Sequence, residues 1–529
     1  MKVIHYARFS PNACGLYHTT KDLVKAEKGV GIDAHFVDID SVKGVATLQE
    51  PGKKDGWMTT SDPSVAEDAD ILVRHTSMPN DMENSGIPVV LAIHGRPQSS
   101  LLLDERTNEP IVEGMYNKGR DCRYKAFFTF WPEHVSFWKR IVPEHKLHLV
   151  PAMVDLMEWR PGGKKFDFGE HNGKPNILIA DIWRADVTPF EEIMAVAEWI
   201  KTECPSARLH IAAAPTGKGA NVLWRALREE KVLGYACGQT KDIKEIYEAC
   251  DVVVTPHTIA TRIVREGSAM GKDVIHANAL TTWWDTFRLR APLVFRAARK
   301  RAETNFCLSN AGQAAKTMYE SILNQKPTRR KVLLDIGGHT GETVRRFYRE
   351  VEDARFYEIH TFEPHPECFK KLTEVLKRMK NVTYHQEAVV GGAPDALFNK
   401  QLFPGRVNDG EGSTMIGGKT TGAVDYANPI QINAVSLLDA VQKFFPDAEI
   451  VLKMNIEGGE YDLMRFILEK NIVGYFKQIY VQVHKHKLAE ASQAGLAEIE
   501  NGFRKVAQEK GVELFMTEKG MARFQCSQD

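Results

Sequence analysis

The sequence predicts an α/β protein of three doubly wound units, and three observations carry that prediction. Short runs rich in β-branched residues alternate with helical stretches almost from end to end, the pattern of parallel strands covered by helices. Two breaks rich in Pro, Gly or Lys interrupt the alternation. The length, 529 residues, corresponds to about three domains at roughly 150 residues each.

The first unit opens on KVIHYA and continues through AHFVDI, ADILVRH and PVVLAIH. The aromatic group Phe127, Phe128, Phe130, Trp131, Phe137 and Trp138 follows, and helix or strand core accounts for it more simply than a sugar-stacking surface. The stretch LVPAMVDLMEWRPGGKKFDFGEHNGKP then breaks the pattern, which sets the first domain at residues 1–160. The second, 161–323, reads NILIAD, ARLHIAAA, DVVVTP and DVIHA, and closes on the helical segment AGQAAKTMYESIL. A short basic joint at 324–330 leads into the third domain, 331–529, with KVLLDIGG, FYEIHTFEP, VTYHQEAVV, EIVLKMNIE and FKQIYVQVH. No solenoid-period repeat and no low-complexity tract interrupts this order.

Composition narrows the function classes. Hydrophobic residues at 43% and charged residues at 26% are those of an ordinary soluble globular chain. Lys and Arg, 69, balance Asp and Glu, 69, so no global field favours a nucleic acid partner. Eight scattered cysteines without C-x-x-C or zinc-type spacing read as reduced thiols. The amino terminus MKVIHYARFS is already strand-like and no run is long enough to span a bilayer, so a cytoplasmic protein without a transmembrane segment is expected.

The sharpest motif is KVLLDIGGHTGETVRRF, where an apolar strand meets Asp335, Gly337, Gly338 and Gly341 and then a helix. Glycines there let the backbone pass close to a ligand at the carboxyl end of a first strand, where open α/β sheets bind nucleosides. Glu363 ends the next strand and is placed to accept both hydroxyls of a ribose. GGHTG departs from G-x-G-x-x-G, and an acid directly before the glycines would repel a pyrophosphate, which sets a nicotinamide dinucleotide behind S-adenosylmethionine as the ligand.

From Lys331 to about Phe524 the chain resembles the FkbM-type S-adenosylmethionine-dependent O-methyltransferases, through DIGGHTGE, FEPHPECFKKL, EAVVGG, VSLLDAV and LKMNIEGGEYDLM. The resemblance implies a class I methyltransferase fold in which Asp335 and the glycines, with His339 in the same turn, hold the methionine end, Glu363 the ribose, and Glu387 or Ala388 lies near the adenine. The family's K-x-D-x-E-G-x-E block stands here as Lys453, Asn455, Glu457, Gly458 and Glu460, and its E-x-H as Gln482, Val483 and His484. Two carboxylates are thus neutral amides, which argues against a metal-dependent reaction and puts His484 forward as the base. The alternatives are a strand-end histidine with a structural hydrogen bond, and proton removal by Glu457 or Glu460, which equally suit sugar hydroxyls or the first turn of a helix. Ser413 and Thr414 either line an acceptor cleft or belong to a plain surface loop.

The first 320 residues resemble retaining GT-B glycosyltransferases, with two Rossmann-like domains. The opening strand, loop with Gly15 and helix, the strand ending in His94 and Gly95, HLVPAMVDLMEWRP and IYEACDVVVTPHTIATRIVREGSAMGKDVI carry the likeness. It implies a nucleotide sugar as donor and a glycan or glycoconjugate as acceptor. Without a metal, the leaving nucleoside diphosphate must be neutralised by Arg, Lys and helix ends. Arg184 stands at the family's phosphate-binding arginine, Glu266 at its ribose-binding acid, and Gly15 and His94 at the donor sugar, with a strand-end histidine capping a neighbouring loop as the alternative for His94. The companion lysine and the first acid of E-x7-E are absent. Arg262 and Arg265, placed in the same loop, either restore positive charge or face solvent. Asp38 and Asp40 are read as solvated loop acids, and residues 217–221, GKGAN, as no P-loop.

The expected protein is therefore a bifunctional glycan-modifying enzyme, joining sugar transfer to O-methylation of a sugar hydroxyl at raised effective concentration. Its rival is a methyltransferase whose GT-B half only binds substrate or scaffolds.

Overall fold

The computed structural model describes residues 1–7, 15–40, 47–48, 66, 68–76, 78–94, 97, 110–180, 190–212, 218–238, 240, 242–255, 260–325, 329–392, 400–405, 413–415, 419, 424–488, 493 and 495–525. It divides into two compact units. The first comprises residues 1–78, 89–119 and 126–323, and the second 79–88, 120–125 and 324–529.

The first unit contains two sheets. Strands β1 (Lys2–Ala7), β2 (Asp33–Asp40), β3 (Thr47–Leu48), β4 (Ile71–Arg74), β5 (Val89–Ile93), β6 (Tyr124–Thr129) and β7 (Leu147–Leu149) lie in the order β3-β2-β1-β4-β5-β6-β7. β2 and β4 flank β1 in parallel, and only the short β3 is antiparallel to its neighbour among the described pairings of this sheet. Val3, Ile4, Ile71, Leu72, Val89 and Val90 are fully buried, as expected where a parallel sheet is covered on both faces. Phe127 and Phe128 in β6, with Phe130 and Trp138, are core residues, in line with their simpler reading. The second sheet, β8 (Asn176–Ile179), β9 (Arg208–Ile211), β10 (Leu233–Ala236), β11 (Val252–Val254) and β12 (Asp273–Ile275), is parallel in the order β10-β9-β8-β11-β12. Both orders reverse beside the first strand, which opens a crevice at the carboxyl ends there. The helix Leu308–Leu323 returns to the helix Gly15–Gly29. Gly312 permits the approach, because a Cβ there would stand 2.3 Å from the Ala26 carbonyl oxygen.

The second unit is a parallel sheet of β13 (Arg330–Ile336), β14 (Tyr357–Phe362), β15 (Val382–His385), β19 (Ala448–Met454), β20 (Gln478–Gln482) and β21 (Glu513–Thr517), with β16 (Glu387–Val390), β17 (Lys400–Leu402) and β18 (Ile430–Ser436) in a three-stranded sheet of their own. The main order is β15-β14-β13-β19-β20-β21, with its switch point between β13 and β19. VTYHQEAVV, read as one strand, is two: β15 pairs with β14, whereas β16 pairs with β18. His385 closes β15 with its ring stacked on Phe362 at 4.3 Å, and the chain changes sheets at Gln386.

Candidate functional site

The clearest site lies at the carboxyl ends of β13, β14 and β19. β13 delivers the chain to Gly337, Gly338, His339 and Gly341, of which Gly337 (φ 82°), His339 (φ 49°) and Gly341 (φ 86°) have left-handed backbones. A Cβ at Gly337 would stand 2.1 Å from the Asn455 carbonyl oxygen, and one at Gly338 2.2 Å from Thr361 Oγ1. The turn is therefore closed to any larger residue, which explains both glycines.

Asp335 supports this turn from below. It is fully buried, accepts the Thr361 hydroxyl at 2.9 Å and pairs with Lys453 at 2.8 Å. Lys453 Nζ also donates to the Gly337 carbonyl at 2.6 Å. The buried charge of each is compensated by the other, and the pair pins the glycine turn to β19.

A cavity of about 990 Å³ opens above the turn. Among its lining residues are Gly337, Gly338, His339, Glu363, Glu387 and Ala388, so six of the expected cofactor positions converge on one space. Asp335 and Gly341 do not line it. Asp335 acts through Lys453 and the turn, and Gly341 (φ 86°) starts the helix Glu342–Glu350. Glu363 accepts the backbone N–H of His339 at 2.8 Å and of His365 at 2.9 Å. Burial nevertheless pushes its carboxyl up to about 7, against the pull of those two hydrogen bonds.

Ser413, Thr414, Asn455 and Glu457 also line the cavity, and Asn455 lies directly against Gly337. Ser413 accepts the Gly405 N–H at 3.1 Å, and Thr414 donates to the Glu457 carbonyl at 3.1 Å. Glu457 has φ 55°, and its carboxylate is gripped by Lys419 at 2.7 Å and by Lys487 at 2.7 Å. Burial would raise this carboxyl, but the two lysines hold it at about 2. Asn455 Oδ1 is buried with no hydrogen-bond partner among the described residues.

Glu460 and His484 sit behind this wall rather than on it. Glu460 is fully buried and accepts Ile456 N–H at 2.7 Å, Gly458 N–H at 2.8 Å and the Nδ1 hydrogen of His484 at 2.8 Å. His484, 1% exposed, turns Nε2 toward Gln482 at 3.3 Å and Glu457 at 3.6 Å. Glu460 thus secures the 456–459 loop, a duty that none of its three sequence readings included. Lys419 and Lys487 were missed, because nothing in the sequence links residues so far apart to Glu457.

Residues 335–519 match the family model described as the methyltransferase FkbM domain. This stretch is an FkbM methyltransferase domain. No curated protein sequence matches the chain. Solved glycosyltransferase structures align with the N-terminal three-fifths. HepE of Anabaena, solved with UDP and glucose, is 10% identical over 61% of this chain and 100% of its own, with a TM-score of 0.42. WaaG, a glycosyltransferase of lipopolysaccharide biosynthesis, is 13% identical over 60% of this chain and 99% of its own, with a TM-score of 0.41. An α-glucosyltransferase solved with UDP and a 13-mer DNA is 12% identical over 60% and 99%, with a TM-score of 0.41. No described helix is long and apolar enough to cross a membrane.

The residues present in the FkbM domain suit S-adenosylmethionine. Gly337, Gly338 and His339 of the turn line the cavity, Glu363 is aligned at the end of β14 by two backbone N–H groups, and Asn455, another lining residue, has an Oδ1 with no hydrogen-bond partner among the described residues.

Before the FkbM domain, the structure places the expected donor-site residues as follows. Gly15 begins the helix Gly15–Gly29, and Arg184 lies outside the described residues. Arg262 and Arg265 stand in a helix, Arg262–Ala269, and not in a loop, and Arg265 is only 3% exposed, so it does not face solvent. Its guanidinium is spent on the Met153 carbonyl and on Thr19 Oγ1, 3.4 Å away. Arg262 pairs with Glu266 and lies 3.7 Å from Asp22. Burial pushes Glu266 up to about 7 and Asp22 up to about 6. His94 ends β5 with Nε2 2.7 Å from His75 Nδ1. A second cavity of about 580 Å³, lined by Phe130, Trp131, Thr255 and His276 among others, lies in the same unit.

Proposed function

We propose that the FkbM domain transfers a methyl group from S-adenosylmethionine to a hydroxyl of a sugar or related acceptor. The observation that carries this reading is the cavity at the β13–β19 switch point, whose lining brings together a glycine turn, Glu363, Glu387, Ala388, Ser413, Thr414 and Glu457. S-adenosylmethionine supplies an electrophilic methyl carbon when bound. The chain's own task is to align the acceptor oxygen and take up its proton. Asp335 and Lys453 hold the glycine turn, Gly337 and Gly338 admit the methionine end, Glu363 receives the ribose hydroxyls, and Glu387 and Ala388 flank the adenine. Glu457, held by Lys419 and Lys487, presents its carboxylate toward the acceptor side. His484, oriented by Glu460, stands behind the lining with Nε2 3.6 Å from the Glu457 carboxylate, and we assign it the uptake of the acceptor's proton, passed to it through Glu457. No metal is assigned.

For the first unit we propose transfer of a sugar from a nucleotide donor to the same class of acceptor, with Gly15, His94, Arg184, Arg262, Arg265 and Glu266 around the donor. A second reading has a specific observation behind it: Arg265 and Glu266 are already bound within the protein, as a unit that only binds substrate would tolerate. The two halves are proposed to work in the cytoplasm on one acceptor. Incubation with radiolabelled S-adenosylmethionine and a panel of glycans tests the methyl transfer. Hydrolysis or transfer from nucleotide sugars separates an active first unit from a binding-only one.

A further inference from the structure

A series of hydrogen bonds runs through the core of the first unit from Glu27 to His94. Glu27 is fully buried, and its carboxylate accepts the Tyr319 hydroxyl at 2.8 Å and stands 2.7 Å from His5 Nε2. A carboxylate only accepts, so His5 carries its hydrogen on Nε2. In a neutral His5 ring Nδ1 is then an acceptor, and His75 Nε2, 2.9 Å away, donates to it. His75 Nδ1 has one lone pair left, facing His94 Nε2 at 2.7 Å and the Thr20 hydroxyl at 3.3 Å. The nearer partner, His94, donates. Each tautomer is dictated by the ring before it, and the series ends on His94 Nδ1, a lone pair with no hydrogen-bond partner among the described residues.

His5 is fully buried and His75 nearly so, while His94 is partly exposed at the end of β5. Burial pushes His75 well below its ordinary value, and burial with the nearby Arg265 charge pushes His94 down to about 3. At neutral pH these two rings are uncharged, and what they transmit is a tautomer.

We propose that Glu27, His5 and His75 are positioning residues that fix His94 in its Nε2–H form, so that His94 Nδ1 accepts the hydrogen of a sugar hydroxyl in the first unit. The hydroxyl contact rests on the reading of that unit as a nucleotide-sugar site. The opposite tautomer would present an N–H there and would no longer demand a hydroxyl donor.

Nitrogen-15 NMR of the histidine rings in the full-length chain tests the relay without any sugar, with His94→Gln identifying the His94 signals. A protonated Nε2 and a pyridine-type Nδ1 at His94 are expected, and a protonated Nδ1 overturns the proposal. In Glu27→Gln, whose amide can donate to His5 while its carbonyl accepts from Tyr319, the His94 signals should move toward the Nδ1–H form. Transfer from UDP-glucose or GDP-mannose, whichever the wild type uses, should fall about tenfold, as the loss of one hydrogen bond of roughly 1.4 kcal/mol requires. Unmoved His94 signals in that variant overturn the relay. Should Glu27→Gln fail to fold, the wild-type tautomer still decides, and Tyr319→Phe, which spares the relay, should leave it as found. A wild type with the expected tautomer that neither binds nor turns over nucleotide sugars sinks the sugar-site reading and the hydroxyl contact. A sugar-active wild type with His94 in the other tautomer sinks the relay alone.

Discussion

Glu460 accepts the Nδ1 hydrogen of His484 at 2.8 Å while also receiving two backbone N–H groups of the 456–459 loop. One buried carboxylate therefore sets both the tautomer of a histidine and the course of the loop that carries Glu457. Glu460→Gln keeps the volume but removes the charge that three donors share. Denaturant melts should show a loss of about 2 kcal/mol, the scale of hydrogen bonds to a charged group, and methyl transfer should fall more than S-adenosylmethionine affinity does.

Gly338→Ala tests the cofactor turn. Its Cβ would meet Thr361 Oγ1 at 2.2 Å, and that hydroxyl is already held by Asp335. Calorimetry should show S-adenosylmethionine affinity reduced at least tenfold, with the thermal midpoint lowered. Unchanged affinity would place the ligand away from the turn.

Glu363 gives the second unit a pH signature. Its carboxyl sits at about 7 in the folded protein, against 4.5 ordinarily, because it is buried. The folded state thus holds a proton that the unfolded state releases between those values, so this contribution to stability is present at low pH and is lost as pH rises through about 7. Ribose hydroxyls donate best to the ionised form, so S-adenosylmethionine affinity should rise from pH 6 to 8. Glu363→Gln should flatten that rise and weaken binding about tenfold or more, as expected for hydrogen bonds to a charged group. Titration calorimetry at several pH values checks both.

The first unit should lose stability over the same range. Burial raises Glu266 to about 7 and Asp22 to about 6, and both bind protons more tightly folded than unfolded. Their ionisation as pH rises from 5 to 8 therefore draws on folding free energy. Asp22→Asn should raise stability at pH 8 by about 1–3 kcal/mol, with a smaller gain at pH 5, in melts followed at both pH values.

Much of this was legible in the sequence, for physical reasons. Central strands such as KVIHYA and KVLLDIGG are buried on both faces and read as largely apolar runs, interrupted by the buried His5 and Asp335. β21 is half-exposed and mixed in character, so its sequence carries no clear strand pattern, and its place is set by pairing with β20. Gly337 and Gly338 stand out in the sequence as a turn where a ligand could approach the backbone, and the structure adds that their Cβ positions are closed by Asn455 and Thr361, whereas the roles of Lys453, Lys419 and Lys487 depend on contacts between distant segments. The helix Arg262–Ala269 has two arginines that looked like free charge. Only the carbonyl of Met153, 112 residues away along the chain, shows where Arg265 is spent.

The central claim, that the β13–β19 cleft is a methyl-transfer site, is tested most directly by one measurement. The full-length protein, wild type and Glu457→Gln, is incubated with methyl-labelled S-adenosylmethionine and a glycan panel, and label is counted in the recovered glycan. Label in at least one glycan with wild type, reduced at least tenfold in the variant although the cofactor still binds, is the predicted result. Cofactor that neither binds to the wild type nor labels any acceptor would contradict it.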